Sequence, residues 1–152
     1  MSLAPFVPSP PEVARKMLEV AGVSYGETVY DLGCGNGGIV IMAAREFGAK
    51  CVGIEMRKDL ADKATEEAKN QRIDQRVKIL NANCLDIDIS DADVVTLYLT
   101  SSGNLKLKDK LEKELKTKAR IVSHDFEMSG WTPHKIYREL PGHTIYLYVK
   151  GT

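Results

Sequence analysis

The chain has 152 residues, of which 43% are apolar and 28% are charged, and its 21 basic side chains balance 21 acidic ones. This length is typical of one domain with its own core, and zero net charge argues against binding nucleic acid or acidic lipid through bulk electrostatics. Cys34, Cys51 and Cys84 are odd in number and lack CxxC spacing, so we expect reduced thiols, no disulfide framework and no bound metal. No apolar run reaches the roughly 20 residues of a membrane span, and the N-terminus lacks a signal pattern. We therefore expect a cytoplasmic protein without a membrane partner.

Helical and strand-like patterns alternate along the chain. Ser9 can cap a first helix, because two prolines follow it and Glu12, at the third helical position, completes a capping box. The apolar spacing of this helix ends at Gly22. Further along, we predict strands at 28–32, 51–54, 76–80, 94–99 and 119–123, and helices at 39–47, 58–70 and 104–118.

This alternation predicts an α/β fold. Parallel strands need helical crossovers, so we expect a parallel sheet with helices on both faces. The pattern changes near the C-terminus, where two strand-like segments at 136–140 and 144–149 flank Pro141 and Gly142. Such a turn between alternating residues predicts an antiparallel hairpin at one edge of the sheet.

A glycine-rich loop separates the first predicted strand from the helix that follows it. Gly33, Gly35 and Gly38 satisfy the dinucleotide pattern GxGxxG, and Glu55 lies where an acid that binds ribose is expected. Asp31, just before the loop, argues against a nicotinamide dinucleotide, because its carboxylate would repel a pyrophosphate and attract an ammonium or sulfonium group. The alternative is that the glycines merely turn the chain, Asp31 caps the helix and Glu55 is a solvated strand end.

An acid-x-Gly-x-Gly-x-Gly loop followed by an acid at the end of the second strand resembles motifs I and II of the class I S-adenosylmethionine-dependent methyltransferases. The resemblance covers essentially the whole chain. It implies a Rossmann-like, seven-stranded, mostly parallel sheet in a single methyltransferase domain over residues 1–152. An N-terminal loop and helix at 1–22 would cover the cofactor site, and S-adenosyl-L-methionine would be the cofactor.

The same resemblance assigns the methionine and ribose end of the cofactor site. Asp31 would face the methionine amino group by way of the loop. Gly33, Cys34 and Gly35 would pass their backbone under the methionine and the ribose. Glu55 would accept hydrogen bonds from both ribose hydroxyls.

The adenine end is assigned in the same way. Met56 would lie against the adenine face, and the backbone N–H of Cys84 would meet the ring. Asn83 stands where these enzymes commonly carry Asp, and its side-chain oxygen can still accept a hydrogen bond from the exocyclic amine. Ser9 would reach the cofactor carboxylate.

The segment after the fourth strand, beginning at Tyr98, is where such enzymes differ. It lacks the Asp/Asn-Pro-Pro-Tyr tetrapeptide of amino-methylating nucleic-acid enzymes and the carboxylate cluster of metal-dependent catechol-type enzymes. Together with segments 6–10 and 131–133 and with Phe126, it resembles the small archaeal broad-specificity protein-lysine methyltransferases and the related ATP synthase c-subunit lysine methyltransferases. This narrower resemblance implies protein substrates that present lysine.

Tyr98, Phe126 and Trp131 are the candidate catalytic side chains. A lysine amine, with a free pKa of roughly 10.4, must lose its proton before it attacks, and an apolar aromatic channel favours the neutral amine. We expect the three rings to form that channel and the Tyr98 hydroxyl to orient the amine. The alternatives are a core role for Tyr98 and a sheet-edge cover for Trp131.

His124 and Asp125 follow the fifth predicted strand. They could form an acid–base pair or a substrate-binding lip. Because neighbouring strand residues point to opposite faces of a sheet, we do not expect the two side chains to pair directly.

The sequence is compatible with more than one kind of partner. The lysines of helix 104–118 are typical of a solvated face, although they could also guide acidic protein or RNA or serve as sites of self-methylation. The alternative functions are an RNA or small-molecule methyltransferase and a non-catalytic cofactor-binding module. We expect a monomer, with nucleic acid as the less favoured partner.

Overall fold

The computed structural model describes residues 6–151, so residues 1–5 of the predicted N-terminal segment 1–22, and residue 152, lie outside the described residues. The described chain contains four α-helices, seven strands and one short 3-10 helix. The helices are α1 (Pro11–Val20), α2 (Gly38–Phe47), α3 (Lys58–Asn70) and α4 (Ser101–Glu114), and the 3-10 helix is Cys84–Asp86. The strands are β1 (Thr28–Leu32), β2 (Lys50–Glu55), β3 (Val77–Asn81), β4 (Val94–Leu97), β5 (Arg120–His124), β6 (Lys135–Tyr137) and β7 (Ile145–Val149).

The seven strands form one sheet in the order β3-β2-β1-β4-β5-β7-β6. The first five strands are parallel, and β7 runs antiparallel to both β5 and β6. The predicted fold class, a mostly parallel sheet finished by an antiparallel hairpin, is therefore confirmed.

Both faces of the sheet are covered, because successive strand residues alternate between two cores. Val29 of β1 and Val94 of β4 pack with α1 and α2, whereas the next residues, Tyr30 and Val95, pack on the opposite face with α4. Among residues 6–151, no helix is long and apolar enough to cross a bilayer.

The predicted cap of the first helix is wrong. The N-cap position is Pro10, whose carbonyl accepts hydrogen bonds from Val13 and Ala14, and no side chain caps the helix. The Ser9 hydroxyl instead lies 2.9 Å from Nδ1 of His124. A buried imidazole nitrogen that needs a partner competes here with the local capping bond.

Helix α4 also differs from its predicted bounds. It begins three residues earlier, because Thr100 Oγ1 accepts a hydrogen bond from the Gly103 N–H and caps the helix at that point. It ends earlier as well, since Leu115 already has extended backbone angles.

The ends of β1, β2 and β4 meet near the N-terminus of α4. The order of β1 and β4 in the sheet makes the edge between them a topological switch point, where α/β proteins bind ligands.

A half-buried ion pair joins the start of β5 to the turn before β1. Arg120 donates two hydrogen bonds to the Glu27 carboxylate, at 2.6 and 2.8 Å, and one each to the carbonyls of Ala21 and Gly22. These bonds lower the pKa of Glu27 to about 2. The pair therefore stabilises the fold fully above the ordinary Glu pKa of about 4.5 and loses this effect as the pH falls towards 2.

We expect Arg120→Ala to lower the free energy of unfolding by about 2 to 3 kcal/mol, because the change leaves two carbonyls without their donors and leaves the partly buried Glu27 carboxylate with the Ser24 N–H alone. Urea denaturation at pH 7 measures the effect. Arg15→Ala is the matched control, since Arg15 also bonds both oxygens of a glutamate, Glu46, but on the exposed surface. Equal losses in the two variants would contradict a structural role for the Arg120 pair.

Candidate functional site

The main pocket lies at the carboxyl ends of β1, β2 and β4, and it encloses about 830 Å³ including its open mouth. The N-terminal segment before α1 closes one side of it. Most of the predicted site residues line this pocket: Ser9, Asp31, Gly33, Cys34, Gly35, Glu55, Met56, Cys84 and Tyr98. The structure thus brings together residues from distant parts of the sequence.

The glycine loop turns sharply at the end of β1. Gly33 and Gly35 both have positive φ angles, 87° and 56°, which L side chains rarely adopt. A Cβ at Gly35 would also clash with the ring of Phe6, which packs directly over the loop. The N–H groups of Gly33 and Cys34 both donate to the carbonyl of Ile54, so the loop is tied to the end of β2.

Glu55, the last residue of β2, holds this loop from the other side. One carboxylate oxygen accepts the N–H of Gly35 at 2.8 Å, and the other accepts the N–H of Arg57 at 2.9 Å. Each oxygen retains a lone pair that can accept a further hydrogen bond. The carboxylate is therefore fixed in place and still able to bind a ligand with two hydroxyl groups.

Asp31 is the buried carboxyl group of the pocket. Its side chain is only 4% exposed, and burial raises its pKa to about 7; the charge of Glu55 acts in the same direction, and a hydrogen bond from Thr96 acts against both. Burial likewise raises the pKa of the neighbouring Cys34 thiol. Because a positive group placed beside Asp31 would favour its ionised form, this end of the pocket suits a cation.

The predicted adenine end is only partly assembled in the pocket. Met56, Ala82 and Cys84 line it, but Asn83 does not. The Asn83 side-chain oxygen accepts the N–H of Leu85 at 3.0 Å and caps the short 3-10 helix. Sequence spacing alone could not separate this capping role from ligand binding.

Tyr98 forms the opposite wall of the pocket, just after β4. Its ring lies 3.9 Å, centroid to centroid, from the imidazole of His124, and 6.5 Å from the stacked ring of Phe126. Burial raises the pKa of the Tyr98 hydroxyl. Phe126 itself does not line the pocket, so of the three predicted aromatic residues only Tyr98 faces it.

Trp131 is not part of an aromatic channel with Tyr98, and that prediction is wrong. Its ring packs edge-on against Tyr148 of β7, 5.5 Å away, and its Nε1–H donates to Glu112 on α4. Tyr148 belongs to the core on the α4 face of the sheet and Glu112 is exposed on α4 itself, whereas His124 and Ser9 meet on the α1 side. The alternative, that Trp131 covers the sheet near its edge, agrees with the structure.

Asn104 is a positioning residue that sequence reasoning missed. It is completely buried, and its amide donates to the carbonyls of Phe126 and Glu127, at 3.0 and 3.2 Å, so it holds the loop after β5 against α4. A signal was present in the sequence, because Asn104 occupies the same helical stripe as Leu107 and Leu111. A polar side chain on such a stripe is expected to have buried partners.

His124 and Asp125 do face each other, contrary to the sequence prediction. Asp125 Oδ2 lies 3.4 Å from Nε2 of His124. Strand alternation does not apply to this pair, because Asp125 is one residue beyond β5 and has a φ of 65°, in the left-handed region. His124 is completely buried, and burial lowers its pKa to about 4 although the Asp125 charge opposes the shift.

Comparisons with known proteins agree with this geometry. A family model described as ANTKMT methyltransferase domain matches residues 31–135. A protein-lysine N-methyltransferase of Saccharolobus islandicus is 45% identical over 97% of this chain and 94% of its own length. The ATP synthase c-subunit lysine N-methyltransferase of Homo sapiens is 28% identical over 89% of this chain, which spans 57% of that protein.

A solved structure is also similar over nearly the whole chain. It is described as an RNA methyltransferase from Salinibacter ruber in complex with S-adenosyl-L-homocysteine. Its sequence is 43% identical, its TM-score is 0.93, and the match covers 95% of this chain and 94% of that one.

We expect the Asp31 carboxyl to make stability depend on pH. Its pKa is about 7 in the folded chain, against an ordinary value of 3.8, so the folded state binds the extra proton and the free energy of unfolding falls as the pH rises from about 4 to 7. Asp31→Asn removes this titration. In urea denaturation without ligand, the free energy of unfolding of the variant minus that of wild type should therefore rise by about 2 to 4 kcal/mol between pH 5 and pH 8. An unchanged difference at the two pH values would contradict a buried, protonated Asp31.

Proposed function

The chain belongs to the ANTKMT methyltransferase domain family of S-adenosylmethionine-dependent enzymes, and on that premise we propose that its methyl acceptor is the side-chain amine of lysine in proteins. The predicted family, the transferase activity and the cofactor are confirmed. The roles of single residues and the acceptor are proposals. They rest on the geometry of the pocket and on the names of the similar proteins.

Two features of the pocket fit S-adenosylmethionine. The buried Asp31 carboxyl has a raised pKa, so a cationic amino or sulfonium group would compensate its charge. The glycine loop leaves room that a side chain would fill, since a Cβ at Gly33 would lie only 3.1 Å from Leu99 and one at Gly35 would clash with Phe6. When bound, the cofactor supplies a methyl group activated by its positive sulfur.

The residues of the chain would hold this cofactor as follows. Asp31 would face its amino group, and the lone pairs of Glu55 would accept the ribose hydroxyls. Met56 and Cys84 would contact the adenine, with Asn83 at the margin because its oxygen already accepts the Leu85 N–H. The Ser9 hydroxyl lines the pocket and would reach the carboxylate of the cofactor.

The acceptor site would lie against Tyr98. Methyl transfer is an in-line displacement, so alignment of the amine and exclusion of water can supply most of the catalysis. The Phe6 ring over the glycine loop and the Tyr98 ring, which stacks on Phe126, give this side of the pocket an apolar wall. Such an apolar wall favours the neutral form of a lysine amine, and the Tyr98 hydroxyl would orient it.

One observation favours lysine as the methyl acceptor. The aromatic wall formed by Tyr98 borders a pocket in a chain that is 45% identical, over nearly its full length, to a protein named protein-lysine N-methyltransferase. RNA is the second candidate, because the similar structure from Salinibacter ruber is described as an RNA methyltransferase. Zero net charge favours protein over RNA, although α4 carries two exposed lysines, Lys106 and Lys113. Self-methylation of those lysines, a monomeric state and a cytoplasmic location stay predictions.

Transfer of labelled methyl to a cell extract separates the two acceptors. The purified chain is incubated with extract and methyl-labelled S-adenosylmethionine, and equal samples are then treated with protease or with ribonuclease. We expect the label to resist ribonuclease, to be lost with protease and to be recovered as methyl-lysine after acid hydrolysis. Label that ribonuclease removes would contradict the lysine proposal and favour RNA.

We expect Tyr98→Phe to lower kcat by about 10-fold or more, because the amine loses the hydroxyl that aligns it. The KM for S-adenosylmethionine should stay near the wild-type value. Tyr25→Phe is the matched control, since the Tyr25 side chain is 76% exposed and does not line the pocket. An unchanged kcat in Tyr98→Phe would show that the hydroxyl has no role in catalysis.

A further inference from the structure

Three side chains that the methyltransferase proposal does not use converge at the end of β5. They are His124, Asp125 and His143, the last of which lies in the loop before β7. Nε2 of His124 lies 2.8 Å from Nδ1 of His143, and Asp125 Oδ2 lies 3.4 Å from the first nitrogen and 3.9 Å from the second. We propose that these three residues bind one divalent transition-metal ion of the zinc class. The spacing of the cysteines does not predict this metal site, because no cysteine belongs to the cluster.

The separations of the three donor atoms allow one metal ion to bind between them. A single N–H donor on one imidazole accounts for the 2.8 Å contact between the rings. The Asp125 oxygen lies beyond the usual hydrogen-bond distance from either ring nitrogen. The point in their plane that is equidistant from the three atoms lies about 2.0 Å from each, the length of zinc bonds to histidine nitrogen and carboxylate oxygen, and small movements of the partly exposed Asp125 and His143 side chains would open the angles towards a tetrahedron.

The outer atoms of the cluster are already fixed in the way that metal ligands require. Nδ1 of His124 pairs with the Ser9 hydroxyl at 2.9 Å, which directs Nε2 towards the cluster. The other oxygen of Asp125 accepts the N–H of Thr144 at 2.9 Å, which directs Oδ2 inwards. Hydrogen bonds of this kind orient the ligands in metal sites and select the histidine tautomer.

The backbone also supports a site rather than a chance contact. Asp125 has a φ of 65°, and a non-glycine residue in this region usually persists because its surroundings demand it. This conformation turns the carboxylate onto the same side as the imidazole directly before it. His143 and Asp125 are each a little under one third exposed, so an ion could enter and a water molecule could complete its coordination.

Two nitrogen ligands and one carboxylate select the class of ion. Imidazole donors suit zinc, copper, nickel and iron, whereas magnesium and calcium prefer oxygen ligands throughout. The ion would not touch the methyl acceptor, because none of its three ligands lines the main pocket. It would instead hold His124 against Tyr98 and Ser9, which do line it, and would fasten β5 to the loop before β7.

Zinc titration of protein dialysed against a chelator tests the proposal. Isothermal calorimetry should show saturable binding of one Zn²⁺, with none of Mg²⁺, and bound zinc should raise Tm. His143→Ala and Asp125→Asn should each weaken zinc binding by at least about 10-fold. Asparagine tolerates the left-handed backbone, so the second variant keeps the turn.

The third histidine of the chain supplies the matched control. His134 is exposed and outside the cluster, so His134→Ala should bind zinc as the wild type does. The cobalt adduct should show d–d bands without a thiolate charge-transfer band, which excludes the three cysteines as ligands. S-adenosylhomocysteine binding should survive in His143→Ala, so failure of the metal proposal is distinguishable from failure of the methyltransferase site. Absence of saturable zinc binding, or binding that His143→Ala leaves unchanged, would overturn the proposal.

Discussion

The pocket depends on one carboxylate. Glu55 accepts the N–H groups of Gly35 and Arg57 with its two oxygens, and it thereby joins the loop after β1 to the end of β2. Charge-assisted bonds to backbone donors are among the stronger hydrogen bonds in proteins, and here they fix a loop whose glycines have backbone angles that few other residues adopt. Together with the two bonds that Gly33 and Cys34 donate to the Ile54 carbonyl, this tie holds the floor of the pocket from both sides.

The parallel sheet makes that tie possible and also brings together the other side chains of the pocket. Parallel strands end on the same edge, so Asp31, Glu55 and Tyr98 meet although the sequence separates them widely. The sides of the pocket that we propose for the cofactor and for the acceptor differ in physical character. Asp31 is a buried charge that suits a cation, whereas Tyr98 belongs to a stack of rings that suits a neutral amine. The fold alone does not specify the acceptor, because methyltransferases of different substrates share this sheet.

The sequence predicted the order of elements, the sheet type and most of the pocket, because these follow from apolar periodicity and from the spacing of a loop and two acids. It failed where a distant partner decides the local structure. Ser9 leaves its expected capping position for the buried ring of His124, and Asp125 turns towards the same ring once the strand has ended. Trp131 is aromatic and near Phe126 in sequence, yet it packs on the α4 face of the sheet. Asn104 shows that a single polar residue on an apolar stripe is best treated as a buried hydrogen-bond donor.

We propose that Glu55 both shapes the pocket and binds the cofactor. Calorimetric titration of S-adenosylhomocysteine into wild type, Glu55→Ala and Glu66→Ala tests this role. Glu66→Ala is the matched control, because Glu66 is an exposed glutamate of α3 outside the pocket. We predict one site in wild type and in Glu66→Ala, and an affinity about 100-fold lower in Glu55→Ala, with a cooperative melting transition retained as proof of folding. Wild-type affinity in Glu55→Ala would show that this carboxylate neither shapes the pocket nor binds the cofactor.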